Sequence, residues 1–146
     1  MTADGAFSDA ARAAILEAGH GRCVGCGRSD VTTQHRRARG MGGTSSAAVS
    51  SVANGVPLCG SGTTGCHGWA EHNPTDAALM GWRLVAGEDA EEAPWWDRVY
   101  GWRVWHLEEG TGFPELLYVD ADEDLDRAEE RAAAVSRYRA WLARSA

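Results

Sequence analysis

All four cysteines of the chain and three of its five histidines fall in one stretch, from Arg22 to Pro74. It reads Arg-Cys-Val-Gly-Cys-Gly, then Thr-Gln-His-Arg-Arg-Ala-Arg-Gly-Met-Gly-Gly, then Asn-Gly-Val-Pro-Leu-Cys-Gly, then Gly-Cys-His-Gly-Trp-Ala-Glu-His-Asn-Pro. Thiols and imidazoles at this density are metal ligands before they are anything else. Cys23 and Cys26 form a Cys-x2-Cys pair, which grips one ion only where the backbone turns sharply; Gly25 and Gly27 permit that turn. Cys59 and Cys66 supply a second pair across Gly-Ser-Gly-Thr-Thr-Gly, a wider gap than usual but flexible enough to fold out and bring the sulfurs together. The pattern predicts a structural zinc site of Cys23, Cys26, Cys59 and Cys66. Such a site is coordinatively closed, so it holds structure and does no chemistry. Disulfides or free thiols are the alternative, as is a site in which His67 replaces one cysteine.

The histidines need elements to position them. Val31 to His35 is a β-branched run that reads as a strand and delivers His35 to the edge of a loop rich in Arg and Gly. A second short strand, Val56 to Leu58, follows Asn54-Gly55 and runs into Cys59. Cys66 to His72 reads as the start of a helix. His67 and Glu71 are four residues apart there, about 40° around the axis, so both can reach one ion, whereas His72 points roughly 140° away. Asn73 and Pro74 suit the start of a further helix, Thr75 to Met80, ended by Gly81.

Strand, loop, strand and helix, with a His ending the first strand, an Asn between and a His on the helix, is the order of the HNH endonucleases. Gln34-His-Arg-Arg-Ala-Arg-Gly-Met-Gly-Gly, Asn54, Leu58-Cys-Gly-Ser-Gly-Thr-Thr-Gly-Cys-His-Gly-Trp and Glu71 to Pro74 resemble the HNH proteins of actinobacterial phages and prophages. The resemblance covers residues 22 to 82. It implies a zinc-stabilised ββα-metal core that hydrolyses DNA phosphodiester bonds. By that likeness His35 is the general base, Asn54 braces the loop that aims it, and His67 ligates a single divalent cation at the scissile phosphate. Gln34 and Glu71 stand where many members carry an Asp or His and a second helical His. An imidazole, a carboxylate and an amide oxygen are a harder donor set, which favours Mg²⁺ or Mn²⁺ there. Arg36, Arg37 and Arg39 directly follow the base and are expected to clamp DNA phosphates.

The whole chain bounds what surrounds this core. At 146 residues, with 44% hydrophobic and 24% charged composition, it can bury one modest core and reads as a single α+β domain. Its organisation divides into an N-terminal helix (1–21), the metal-rich core (22–82), and a Trp-rich, helix-ended tail packed on it (83–146). No apolar run approaches the roughly twenty residues of a membrane span, and the N-terminus lacks signal-peptide character, so a cytoplasmic protein is expected, in the host cytoplasm if phage-encoded. Reducing conditions there favour metal ligation over disulfides. The net charge of −7 predicts weak non-specific DNA affinity, yet the acidic excess lies from Asp76 onward, where sixteen acids face eight Arg; before it six Arg face five acids.

Residues 8 to 18 predict a short Ala-rich helix capped by Ser8, with Ala11, Ile15 and Ala18 facing the first knuckle. Trp82 to Val85 and Pro94 to Leu107 read as strands, a turn over Glu108 to Gly112 reverses the second, and Glu115 to Val119 pairs back as a small β-hairpin. Five of seven Trp fall between 82 and 105, and the surrounding acids make them a sheet core, not a base-stacking surface. Asp122 to Arg144 is a long helix whose stripe of Leu125, Ala128, Ala132, Val135 and Leu142 packs on the domain as a monomer, a helix-paired dimer being the other arrangement. His20 and His106 read as structural. DNA is the expected partner; phage relatives imply work beside a terminase in genome packaging, and restriction or defence is equally compatible. A zinc-braced binding module without catalysis and a redox thiol protein are the rivals from other classes.

Overall fold

The computed structural model describes residues 6–38 and 51–145. Strand β1 (Val31–His35) pairs antiparallel with β2 (Gly55–Cys59), placing Val31 opposite Cys59 and His35 opposite Gly55. Helix α2 (Gly65–His72) follows β2 across a tight Ser61 to Thr64 turn, and α3 (Pro74–Leu79) begins with Pro74 in its first turn. These are the strands and helices that the residue pattern predicts, with ends shifted by one or two residues.

Helix α1 (Asp9–Ala18) starts where Ser8 accepts a 3.1 Å hydrogen bond from the Ala11 amide. Its apolar face was expected against the first knuckle; it packs on the β1–β2 ribbon. Ile15 is fully buried over Gly55, where a Cβ would collide with the Ile15 side chain. Only glycine at that position lets helix and strand approach so closely.

The tail departs more from expectation. Trp82 to Val85 is not a strand: the Leu84 amide donates to Arg36 O at 2.8 Å and the Val85 amide to the Glu88 carboxylate at 2.7 Å, which closes a turn. The long strand from Pro94 splits into β3 (Trp95–Asp97) and β4 (Gly101–Leu107). Asp97 causes the break, its Oδ1 accepting from the Val99 and Tyr100 amides at 2.8 and 3.2 Å, and Gly101 takes a left-handed φ of 76°. Strand β5 (Pro114–Tyr118) pairs back on β4, so the hairpin is one edge of a three-stranded sheet.

Helix α4 (Ala128–Ser145) starts six residues later than predicted. Asp120 captures the chain first, its side chain accepting from the Asp122 amide and its carbonyl from Asp124 and Leu125, while closely spaced acids disfavour an earlier helical turn. The buried positions of α4 are Arg131, Ala134, Val135 and Tyr138; Ala132, expected in the stripe, is exposed. One hydrophobic cluster runs from Phe7 through Ile15, Leu58, Trp69 and Trp96 to Tyr138, so all three segments share a core. Among the described residues no helix is long and apolar enough to cross a membrane.

Candidate metal centre and the adjoining cavity

The sulfurs of Cys23, Cys26, Cys59 and Cys66 lie within 4.8 Å of one another, with Cys26 and Cys59 3.5 Å apart. Zn–S bonds of about 2.3 Å place tetrahedral sulfurs roughly 3.8 Å apart, so the cluster has the dimensions of a zinc site. Two backbone amides point at it, Gly25 to Cys23 Sγ and Cys66 to Cys59 Sγ, both at 3.4 Å. The Tyr138 hydroxyl, from α4, lies 2.9 Å from Cys66 Sγ. Four thiols this close compete for protons. Hydrogen bonding with Cys66 holds Cys23 down at about 5, burial pushes Cys59 up to about 12, and hydrogen bonding with Cys23, together with burial, raises Cys66. A divalent cation resolves this conflict by letting all four ionise.

Tyr138 stands in an aromatic cage, with ring centroids of Trp82 and Trp69 at 4.9 and 5.0 Å, both edge-on. Burial raises its pKa and keeps the hydroxyl protonated, a donor toward the sulfur. The sequence gives no local sign of this contact, because Tyr138 lies 72 positions from Cys66.

Beside the sulfur cluster a cavity of about 320 Å³ is lined by Phe7, Arg12, His35, His67, Glu71 and Arg83, among others. The first predicted histidine and the helix pair therefore share one space. Phe7 stacks on the His35 ring with centroids 4.0 Å apart and planes 16° from parallel, fixing its plane. His67 Nδ1 lies 3.1 Å from Thr32 Oγ1. That hydroxyl also lies 3.1 Å from Leu58 O and 3.2 Å from Gly60 O, which can only accept. With its single hydrogen on a carbonyl, the hydroxyl accepts from a protonated His67 Nδ1, a pairing that leaves the ring's lone pair on Nε2. Burial lowers the His67 pKa against the opposing pull of Glu71, which favours the neutral ring a ligand needs. Glu71 accepts a 3.0 Å hydrogen bond from Arg83.

Asn54 is fully buried and grips the peptide after the His35 turn from both sides. Its Oδ1 accepts from the Arg37 amide at 2.6 Å and its Nδ2 donates to Arg37 O at 3.1 Å.

Other predicted site residues lie elsewhere. Gln34 alternates to the interior side of β1, 1% exposed, with its amide nitrogen 3.4 Å from Trp82 O; it is not among the residues lining the cavity, and its expected place beside His67 is corrected. Arg36 is corrected too. It is 1% exposed, and its guanidinium donates to the carbonyls of Gly81, Ala53, Ala90 and Ala93 at 2.7 to 3.1 Å, so it is an internal brace and not a phosphate clamp. The Arg37 guanidinium donates to Glu88 O. Arg39 lies outside the described residues. His72 Nδ1 sits 2.7 Å from Gly68 O, away from the cavity lining, and His20 meets the Tyr100 hydroxyl at 3.0 Å. Sequence reasoning missed Phe7, Arg12 and Arg83, which no motif contains. No family model, curated protein or solved structure matches the chain.

Proposed function

We propose that the chain is an HNH-type, metal-dependent endonuclease acting on DNA phosphodiester bonds, with a structural zinc at Cys23, Cys26, Cys59 and Cys66. The observation that carries this is the convergence of His35, His67 and Glu71 on one cavity from three different positions along the chain. Asn54 supports it, because its two bonds to Arg37 stiffen the segment that leaves His35.

His67 Nε2 and the Glu71 carboxylate are the donors that would hold a catalytic cation, and an imidazole with one carboxylate suits Mg²⁺ or Mn²⁺. Such an ion supplies neutralisation of charge at the scissile phosphate and the departing oxygen. His35 takes the proton of the attacking water, oxygen bonds to phosphorus, the P–O3′ bond breaks, and the departing 3′ oxygen takes a proton from solvent water, giving 5′-phosphate and 3′-hydroxyl ends. Phe7 holds the His35 ring, Thr32 fixes the His67 tautomer, and the zinc cluster anchors the end of β2 and the start of α2. A cytoplasmic role beside a terminase in phage genome packaging, or in restriction, is compatible with this chemistry.

Two observations favour a second reading, a binding module without catalysis: Gln34 faces inward and Glu71 is already paired with Arg83. Incubation with supercoiled plasmid in Mg²⁺, Mn²⁺ or EDTA separates the two. The nuclease nicks in either metal, fails in EDTA, and fails as His35→Ala; a binding module retards the plasmid without nicking it.

A further inference from the structure

Among the described residues, the two arginines that directly follow His35 do not supply the positive charge of the cavity. Arg36 is occupied by four carbonyls and Arg37 by Glu88 O. Two arginines from outside that loop line the cavity instead: Arg12, from α1, and Arg83, from the turn after α3. The Arg12 side chain is half exposed, and among the described residues the carboxylate it pairs with, Asp9, stands 3.9 Å away, too far for a hydrogen bond. Arg83 is more enclosed, 27% exposed, and points at Glu71. Glu71 is the one carboxylate among the described lining residues. Two guanidinium groups, one carboxylate and two imidazoles leave the lining positive when both rings are neutral. A guanidinium fork matches the oxygens of a phosphate diester, and enclosure strengthens that match.

We propose that Arg12 and Arg83 are the phosphate-binding residues of this cavity, with Glu71 holding Arg83 in place until a DNA phosphodiester takes it over. The inference rests on the endonuclease assignment made above. No covalent bond changes: Arg83 exchanges a carboxylate oxygen for a phosphate oxygen, and the Glu71 carboxylate is released beside His67. Phosphate binding and the availability of Glu71 are thereby linked, and the linkage is reciprocal.

The test is binding, not turnover. A short fluorescein-labelled DNA duplex is titrated without added Mg²⁺ or Mn²⁺ against the His35→Ala chain, with anisotropy read over a salt series. Arg12→Gln and Arg83→Gln each weaken binding about tenfold, the size of one charge-assisted contact. Each also reduces the slope of log affinity against log salt by about 0.9. Arg37→Gln leaves the slope unchanged. Glu71→Gln tightens binding, because it frees Arg83 and removes a repelling carboxylate, and this gain shrinks when Arg83 is also Gln. A purely structural ion pair gives Arg83→Gln and Glu71→Gln the same sign, and misfolding cannot tighten binding. Equal signs, or an unchanged slope in both Arg variants, overturn the proposal. If the unsubstituted chain nicks and binds DNA while ignoring Arg12 and Arg83, this inference alone fails. If it neither binds nor nicks, the endonuclease assignment fails and takes the inference with it.

Discussion

Substitution of Arg36 separates an internal brace from a DNA contact. The guanidinium donates four hydrogen bonds to carbonyls at 81, 53, 90 and 93, tying β1 to the turn before β2, the end of α3 and the acidic loop. Burial lowers its pKa to about 9, which still leaves it charged at neutral pH. Bonds from a charged donor contribute about 1.5–3 kcal/mol each. Four of them sum to roughly 6–12 kcal/mol if additive, which is the scale of a whole domain's stability of about 5–15 kcal/mol. Arg36→Ala therefore yields little folded protein. Arg36→Lys keeps the charge but offers three donors from one nitrogen, cannot span four divergent carbonyls, and loses about 2–4 kcal/mol. Urea unfolding followed by tryptophan fluorescence reads this directly, since Trp82, Trp95 and Trp96 are buried in the core. With an m-value of about 2 kcal/mol/M the midpoint falls by roughly 1–2 M. An Arg36→Lys chain with an unchanged midpoint and weakened DNA binding would refute the brace and restore the phosphate contact.

Other perturbations address the metal centre and the cavity. Elemental analysis should find one zinc per chain, and stripping it should lower the melting temperature by well over 10 °C, because metal binding energy at a four-thiolate site is folding energy; a metal-free chain with the same melt contradicts the site. Tyr138→Phe removes the hydroxyl at 2.9 Å from Cys66 Sγ and should weaken zinc retention by about 10–100-fold in competition with a chelator. The His67 ring should titrate below 6.5 by NMR, and lower still in Glu71→Gln, since burial depresses it and Glu71 raises it. The sign for stability follows: between the lowered folded pKa and 6.5 the unfolded chain binds more protons, so stability contributed by His67 is present above pH 6.5 and falls as pH drops through that window.

How much of this was legible in the sequence depends on how local each signal is. Cys23, Cys26, Cys59 and Cys66 announce themselves by type and by glycine-rich spacing, and they meet as expected. The i, i+4 spacing on α2 placed His67 and Glu71 on one cavity without any knowledge of tertiary structure. Strand alternation was the signal overlooked at Gln34 and Arg36. Residues flanking an outward-facing His35 on an extended chain face inward, and both are buried. Arg12, Arg83 and Tyr138 reach their places through packing of α1, α3 and α4, which no short motif encodes. The β3–β4 break was readable in principle, because Asp97 and Gly101 are turn residues inside an apolar run.

The central claim is that His35 and His67 act as one unit on a phosphodiester. It is tested most directly by single-turnover plasmid nicking in Mn²⁺ with His35→Ala, His67→Ala and the double variant, zinc content and melting temperature being checked in each. Loss of either histidine should slow nicking by about 10²–10⁴, and the double variant should be no slower than the slower single. Either single variant nicking at the unsubstituted rate, or losses that multiply as they do for independent sites, would contradict the account.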